Sequence, residues 1–392
     1  MKAWRPIPKL VALVSVVAFL LCTLYFFSNS PSSPVYFQPQ PQQHEITPVE
    51  MTPVETPEIP VCPELPPPPP PVPSNEIPNI VHFVHLLPDD MVGNGNIEFE
   101  FRHFLSIYSA HYYLNPDHIF IHTNAAPEQL RALENSPLIW NRIIANLPTV
   151  GFNHEIAPTE TSSGLGIYHL PNKSDFVRTR VMKKWGGIYM DEDVYLLKDL
   201  APLRKTGFQN VLGRQAGGDI CPGLFLSYPE NDMITAYHTL QDRAFDGSWD
   251  THAVRLLSQL AVQFAGRDKN VLVLEQDAFF PLGWGGWEIA AIYEIHEPVE
   301  DVENNIEWSD TSELNLKEFI DNWNWFPGTW KRDWHLGYAL HGWNTGLSWG
   351  GDFFGEYGGI TLEYVVAKSS NFARAVYPVV KHAMDNGIIA SV

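Results

Sequence analysis

Two adjacent glycines, Gly186 and Gly187, separate an amphipathic run from a short apolar one, and this break constrains the architecture more than any other feature. Before it, Val177, Val181, Met182 and Trp185 share one stripe at 100° per residue, the period of a helix. Ser174 suits the N-cap and Asp175 the positive end of the dipole, so the sequence predicts a helix from Ser174 to the glycines. After the break, Ile188-Tyr189-Met190 reads as a buried strand. Asp191-Glu192-Asp193 and a second apolar run, Val194-Tyr195-Leu196-Leu197, follow.

Two features of this stretch demand partners. Arg178 falls inside the apolar stripe, and a buried guanidinium is costly unless an anion meets it, so Asp175 one turn back, a ligand, or both must lie close. A structural pair closing the helix would account for those two residues alone. In extended chain, Asp191 and Asp193 point the same way and Glu192 the other. Two converging carboxylates between apolar runs repel each other, and a divalent cation relieves the repulsion. Oxygen ligands in this number suit Mg²⁺ or Mn²⁺ with positions left open for phosphates. A solvated acidic turn is the simpler alternative, weakened by the apolar runs on both sides.

The rest of the chain supplies context. A net charge of −20 over 392 residues argues against a nucleic-acid partner. Against that background Lys173, Arg178, Arg180, Lys183 and Lys184 form a local basic cluster able to steer an anion, although the last three fall on the helix's solvent face. Residues 1–9 carry Lys2, Arg5 and Lys9 as a cytoplasmic tail, and residues 10–27 are uncharged and mostly apolar. At 1.5 Å per residue that run just crosses a thin bilayer, and it exceeds the ~7–15 residues of a signal-peptide core, which favours an uncleaved anchor. The positive tail leaves the remainder lumenal. Residues 28–76 are proline-rich, with an unbroken run from Pro66 to Pro71, and read as an extended spacer.

From residue 77 to 392 the pattern is α/β. Ile77-Pro78-Asn79-Ile80-Val81-His82 opens a buried strand, Phe99 to Leu114 has helical spacing, His118 to Thr123 is a strand, and Pro127 to Glu134 a helix. Further strands are expected at Asn210 to Gly213, Gly223 to Tyr228 and Val271 to Leu274, with helices at Asn231 to Ala244 and Thr251 to Phe264. Alternating strands and helices imply a mostly parallel sheet flanked by helices, whose ligands bind at the strands' carboxyl ends. Asp301 to Asn322 reads as an exposed insertion. His82 and His85 lie beside the first strand and receive no role.

The S-D-x-x-R, G-G-I-Y and D-x-D elements at this spacing resemble the signature of the family 32 glycosyltransferases. The opening I-P-x-I strand, Phe280-Pro281, and His341 with Trp343 two residues on are further points of similarity. The family's usual Asn-Gly near the second strand is replaced here by Cys221-Pro222-Gly223, which bears on the acceptor side and not on the donor motifs. The resemblance implies a GT-A type nucleotide-sugar-binding fold and transfer of a hexose from a nucleotide-sugar donor to a glycan or glycolipid acceptor, with retained configuration. Carried over residue by residue, it implies catalytic roles for Asp175, Arg178 and Asp193, donor binding by Asp175, Arg178 and Trp343, and Mn²⁺ or Mg²⁺ held by Asp191, Asp193 and His341. Imidazole is an acceptable ligand for Mn²⁺, and His335 is the nearest competitor for that place. Anchor, proline-rich stem and lumenal domain together form a single-pass type II protein of the Golgi membrane. Two other readings stay open at this point: an aspartyl phosphatase of the haloacid dehalogenase type, with Asp191 as nucleophile, and a non-catalytic lumenal sugar-binding module.

Overall fold

The computed structural model describes residues 76–297, 329–343 and 359–390. The anchor, nearly all of the stem, and the Asp301–Asn322 insertion lie outside them. Among the described residues no helix is long and apolar enough to cross a membrane.

The main sheet has seven strands: β1 Ile80–Val84, β2 His118–Thr123, β3 Val150–His154, β4 Gly187–Met190, β6 Asn210–Arg214, β7 Ile220–Ser227 and β8 Val271–Leu274. Their order is β3-β2-β1-β4-β7-β6-β8, and only β7 runs against the rest. A ribbon of β5, Val194–Leu196, and β9, Ala339–His341, pairs antiparallel beside it. The helices are α1 Phe101–Leu114, α2 Pro127–Leu133, α3 Ile139–Ala145, α4 Leu170–Trp185, α5 Ala201–Arg204, α6 Asp232–Ala244, α7 Leu256–Ala265, α8 Gln276–Phe279, α9 Gly286–Tyr293, α10 Leu362–Ala367 and α11 Asn371–Asp385.

Strand alternation sorts side chains into two cores, one on each sheet face. Ile188, Met190, Leu224 and Leu226 enter the core that includes α1 and α11, whereas Tyr189 and Phe225 enter the one built on α4, α6 and α7. With both faces covered, β1 and β4 are buried along their whole length, as an internal parallel strand requires. The glycine break has a steric cause. Gly186 and Gly187 adopt φ of 62° and 103°, and a Cβ on Gly187 would lie 2.4 Å from the Ile80 carbonyl oxygen. Glycine alone lets the chain leave α4 and pair with β1 at once.

Four expectations are corrected. The central helix begins at Leu170, not Ser174: Pro171 starts it, since proline fixes φ and lacks the N–H that a first turn leaves unpaired anyway. Ser174 is therefore inside the helix. The acidic triplet is a turn and not extended chain, closed by the Val194 N–H on the Asp191 carbonyl at 3.0 Å. Strand β7 starts at Ile220 and passes through Pro222, which is tolerated because its ladder with β6 skips from Phe225 to Cys221 there. The helix expected from Thr251 opens instead with one π turn, Thr251–Arg255.

Candidate active site

The α4 helix delivers Asp175 and Arg178 to one place. Asp175 Oδ1 forms an ion pair with Arg178 Nη1 at 3.1 Å, and Arg178 Nη2 donates to Asp191 Oδ1 at 2.8 Å. The guanidinium also lies 4.4 Å from the centre of the Tyr189 ring, whose hydroxyl donates to the same Asp191 oxygen at 2.8 Å. Burial alone would weaken the charge on Arg178, but Asp191, Tyr189 and Asp175 hold its pKa well above the ordinary arginine value. The anionic partner demanded by an arginine in an apolar stripe is thus two carboxylates, one local and one from the acidic turn.

Sequence reasoning missed the second partner of Asp175. His252, fully buried in the π turn, meets Asp175 Oδ2 at 3.0 Å through Nε2, while its Nδ1 has no hydrogen-bond partner. Phe176 and Phe245 pack against the ring. A π turn adds a residue to the helical repeat and so re-aims a side chain. Nothing in the spacing of a regular amphipathic helix announces that.

On the other side of the turn, Asp191, Asp193 and His341 offer ligand atoms that all lie within 4.8 Å of one another. The β5–β9 register explains it: Val194 pairs with His341, and the Gly342 N–H donates to the Asp193 carbonyl at 2.7 Å. His341 Nε2 stands 3.5 Å from Asp193 Oδ1 and 3.9 Å from Asp191 Oδ2. Burial alone would lower the His341 pKa, but the two carboxylates outweigh it and raise it. Burial would likewise raise Asp191, whereas Arg178 and His341 bring it below the usual carboxylate value. His335 is exposed, bonded to Asp333, and outside this group.

These residues fit a divalent cation on two counts. Two carboxylates and an imidazole are a donor set for Mn²⁺ or Mg²⁺. The second count is spatial: a Cβ on Gly223 would stand 2.9 Å from Asp191 Oδ2 and 3.1 Å from His341 Nε2, so the missing side chain keeps the ligand atoms uncovered. The Cys221-Pro222-Gly223 segment, read from sequence as a departure on the acceptor side, thus borders the metal cluster. Cys221 is a buried free thiol whose pKa burial pushes up, and it offers no readily formed thiolate.

Glu192 turns away from the cluster and accepts from His85 Nδ1 at 2.9 and 3.1 Å. Burial would lower His85, but the Glu192 carboxylate raises it. His82 is structural: it bonds the Gly186 carbonyl at 2.8 Å and His122 at 2.9 Å, and burial lowers its pKa to about 4. Trp343 packs its ring 4.0 Å from that of His341, and its indole N–H donates to the Leu282 carbonyl at 2.8 Å. Its φ of 54° is unusual for so large a residue, and strain of this kind clusters at functional sites. Asp175, Arg178, Asp191, Asp193, His341 and Trp343 are therefore linked in one continuous set of contacts.

Residues 107–215, which contain the α4 pair and the acidic turn, match the family model described as glycosyltransferase sugar-binding region containing DXD motif. Over that stretch the chain is similar to the family 32 glycosyltransferases, and this similarity favours a glycosyltransferase over the aspartyl phosphatase alternative. Among its relatives is glucan organizing enzyme 1 of Cryptococcus neoformans, 27% identical over 230 residues that make up 56% of this chain and 58% of that one. Human lactosylceramide 4-alpha-galactosyltransferase is 29% identical over 131 residues, 31% of this chain and 35% of that one. The chain thus spans less than two thirds of either relative. Among solved structures, the glycosyltransferase GlyE of Streptococcus pneumoniae aligns with TM-score 0.41 and 11% identity over 79% of this chain and 64% of that one. PaToxG glycosyltransferase aligns with TM-score 0.33 and 16% identity over 48% and 70%.

Proposed function

We propose that the protein is a metal-dependent, retaining hexosyltransferase of GT-A type that uses a nucleotide diphosphate sugar and glycosylates a hydroxyl of a glycan or glycolipid. The observation that carries this reading is the convergence of Asp191, Asp193 and His341 around the opening at Gly223, with Arg178 joining Asp191 to Asp175. Asp191, Asp193 and His341 would hold Mn²⁺ or Mg²⁺, which when bound supplies a Lewis acid for the leaving diphosphate. Asp191 divides its work: one oxygen is fixed by Arg178 and Tyr189, which leaves Oδ2 facing His341. Asp175 is held on both oxygens, by Arg178 and His252, and this fixed carboxylate orients the donor's sugar hydroxyls. Arg178 keeps its charge at any working pH and adds positive potential where negative charge develops on the donor. No side chain in the group is set as a nucleophile toward the sugar, so the acceptor hydroxyl attacks from the face the diphosphate leaves. The names of the relatives refer to a glucan and to a glycolipid, and a saccharide hydroxyl is common to both.

The same reading places the domain in the Golgi lumen behind the Leu10–Phe27 anchor and the proline-rich stem, on the strength of the charged tail and apolar span. Protease added to sealed Golgi vesicles then spares the domain, and its digestion would reverse the topology. For the chemistry, the full-length protein is incubated with Mn²⁺ and UDP-galactose, UDP-glucose, UDP-N-acetylglucosamine or GDP-mannose, and nucleoside diphosphate release is measured. Metal-dependent release from one donor is expected. No release from any donor, or a phosphorylated Asp191, would refute the reading.

A further inference from the structure

The aromatic contacts that begin at His341 do not end at Trp343. Trp284 packs edge to face against Trp343, ring centres 5.2 Å apart, yet remains 42% exposed. It is presented by a tightly held loop. Glu288, in the first turn of α9, accepts the Gly283 N–H at 2.7 Å and the Gly285 N–H at 3.2 Å, one on each side of Trp284. A Cβ on Gly283 would stand 2.6 Å from the Ala216 Cβ, so the loop packs closely against Ala216 at that point. The Leu282 carbonyl, one residue further back, receives the Trp343 indole N–H. An indole left partly in water on a loop so firmly held is not there for want of anchoring.

Its direction from the cluster is informative. Asp191 meets Arg178 with Oδ1, and through it Asp175, and faces His341 with Oδ2. The carboxylate and guanidinium proposed to hold the donor sugar thus join the cluster through one Asp191 oxygen, and the line His341, Trp343, Trp284 approaches it by the other. Trp343 is therefore read here as a neighbour of the acceptor and not as the donor-binding residue the resemblance implied. A pyranose ring carries C–H groups on its faces and hydroxyls around its rim. Its polarised C–H groups suit the negative face of an indole, and its hydroxyls can stay in water while it stacks. We propose that Trp284 is the stacking platform for a pyranose ring of the acceptor, set beside the metal cluster by Trp343 and Glu288. This proposal rests on the hexosyltransferase reading above and names the residue that receives its second substrate.

The test uses the full-length protein with Mn²⁺ and the donor that the wild type turns over. Methyl β-galactopyranoside, methyl β-glucopyranoside and methyl α-mannopyranoside serve as acceptors. Trp284→Ala should raise the KM of the accepted pyranoside by roughly 10-fold or more, in keeping with the loss of an aromatic stacking surface. Trp284→Phe, which keeps a ring, should recover most of that loss. Trp249→Ala, removing an indole 57% exposed on a different loop, should leave the acceptor KM unchanged. An unchanged acceptor KM in Trp284→Ala, or an equal rise in the donor KM, would overturn the proposal, the latter by showing that Trp284 acts only through Trp343 and His341. A binding measurement covers variants that fail to fold. The protein has 13 tryptophans, so after 5-fluorotryptophan labelling the Trp284 fluorine resonance is identified by its absence in Trp284→Phe. That resonance should shift on titration with at least one pyranoside, and its failure to move with all three overturns the proposal. Absence of nucleoside diphosphate release by the wild type refutes the hexosyltransferase reading itself, and the resonance then decides alone whether Trp284 binds sugar.

Discussion

Gly223→Ala tests the metal cluster without altering any ligand. The backbone at Gly223 is not among the positive-φ residues, so alanine can adopt its conformation. Its methyl group, however, would stand 2.9 Å from Asp191 Oδ2, 3.1 Å from His341 Nε2 and 3.2 Å from His341 Cδ2. These separations fall short of ordinary contact by roughly 0.2–0.5 Å, so the ligands retreat or the methyl group takes space that a coordinated ion or water needs. Sites of this kind tolerate displacements of about 0.5 Å. Disturbing the surroundings of a metal shell costs about 10- to 100-fold in affinity, or about 1.4–2.7 kcal/mol. Folding should suffer little, because replacing glycine at a compatible φ contributes about 0.4–1 kcal/mol through the unfolded chain, offsetting part of the crowding. Calorimetric titration of Mn²⁺ into wild type and variant measures the first effect, and thermal unfolding of the metal-free proteins the second. Wild-type Mn²⁺ affinity in Gly223→Ala would show that the ion, if one binds, lies elsewhere, and would remove the spatial argument for the cluster.

Asp193→Asn should weaken Mn²⁺ and nucleoside diphosphate binding together and cost about 2–4 kcal/mol in transition-state stabilisation. Asp175→Asn should spare metal-dependent nucleoside diphosphate binding while transfer collapses, and titration of the diphosphate with and without Mn²⁺ separates the two. His252→Ala should lower kcat/KM for the donor by roughly 5- to 150-fold, the equivalent of about 1–3 kcal/mol for a buried carboxylate oxygen left without its donor. His252→Gln, which retains an N–H donor, should recover part of it in the same assay. The His85–Glu192 pair should stabilise the fold in a defined pH window. His85 is raised above 6.5, so its contribution is complete below 6.5 and is lost as pH rises through the higher folded value. Glu192 is lowered below 4.5, so its contribution is present above 4.5 and is lost as pH falls through the lower folded value. The difference in unfolding temperature between wild type and His85→Asn should therefore be largest between pH 4.5 and 6.5, and a flat difference across pH would exclude the ion pair.

The α4–turn stretch was legible in sequence because each of its signals was local. The glycine pair, the misplaced arginine and the acidic triplet lie within one helix, one strand and one turn, where periodicity and charge conflict are readable. His341 was reached through resemblance, since no local pattern reveals that β9 will pair with β5. His252 was out of reach because the π turn shifts the helical repeat over only five residues, too short a stretch to register in the periodicity. Gly223 was correctly placed in a strand, but the Cys221-Pro222-Gly223 departure was assigned to the acceptor side, and only the folded chain shows that Gly223 faces the ligand atoms. The Ser174 start failed because capping preference was weighed without Pro171, whose restraint on φ acts from the first turn.

The ribbon of β5 and β9 has a consequence for how the protein becomes active during synthesis. Asp175, Arg178, Asp191 and Asp193 leave the ribosome close together, but His341 emerges only after β6, β7 and β8 have been made. Because β9 pairs over three residues with β5, the last ligand arrives by a long-range closure that must wait for most of the domain. A chain interrupted before Ala339 contains every strand of the main sheet and both carboxylates that flank Arg178, yet it lacks the imidazole as well as α11, which fills part of one core. On the proposed reading, the metal site is thereby complete only when the chain is, and a truncated product would lack its third ligand.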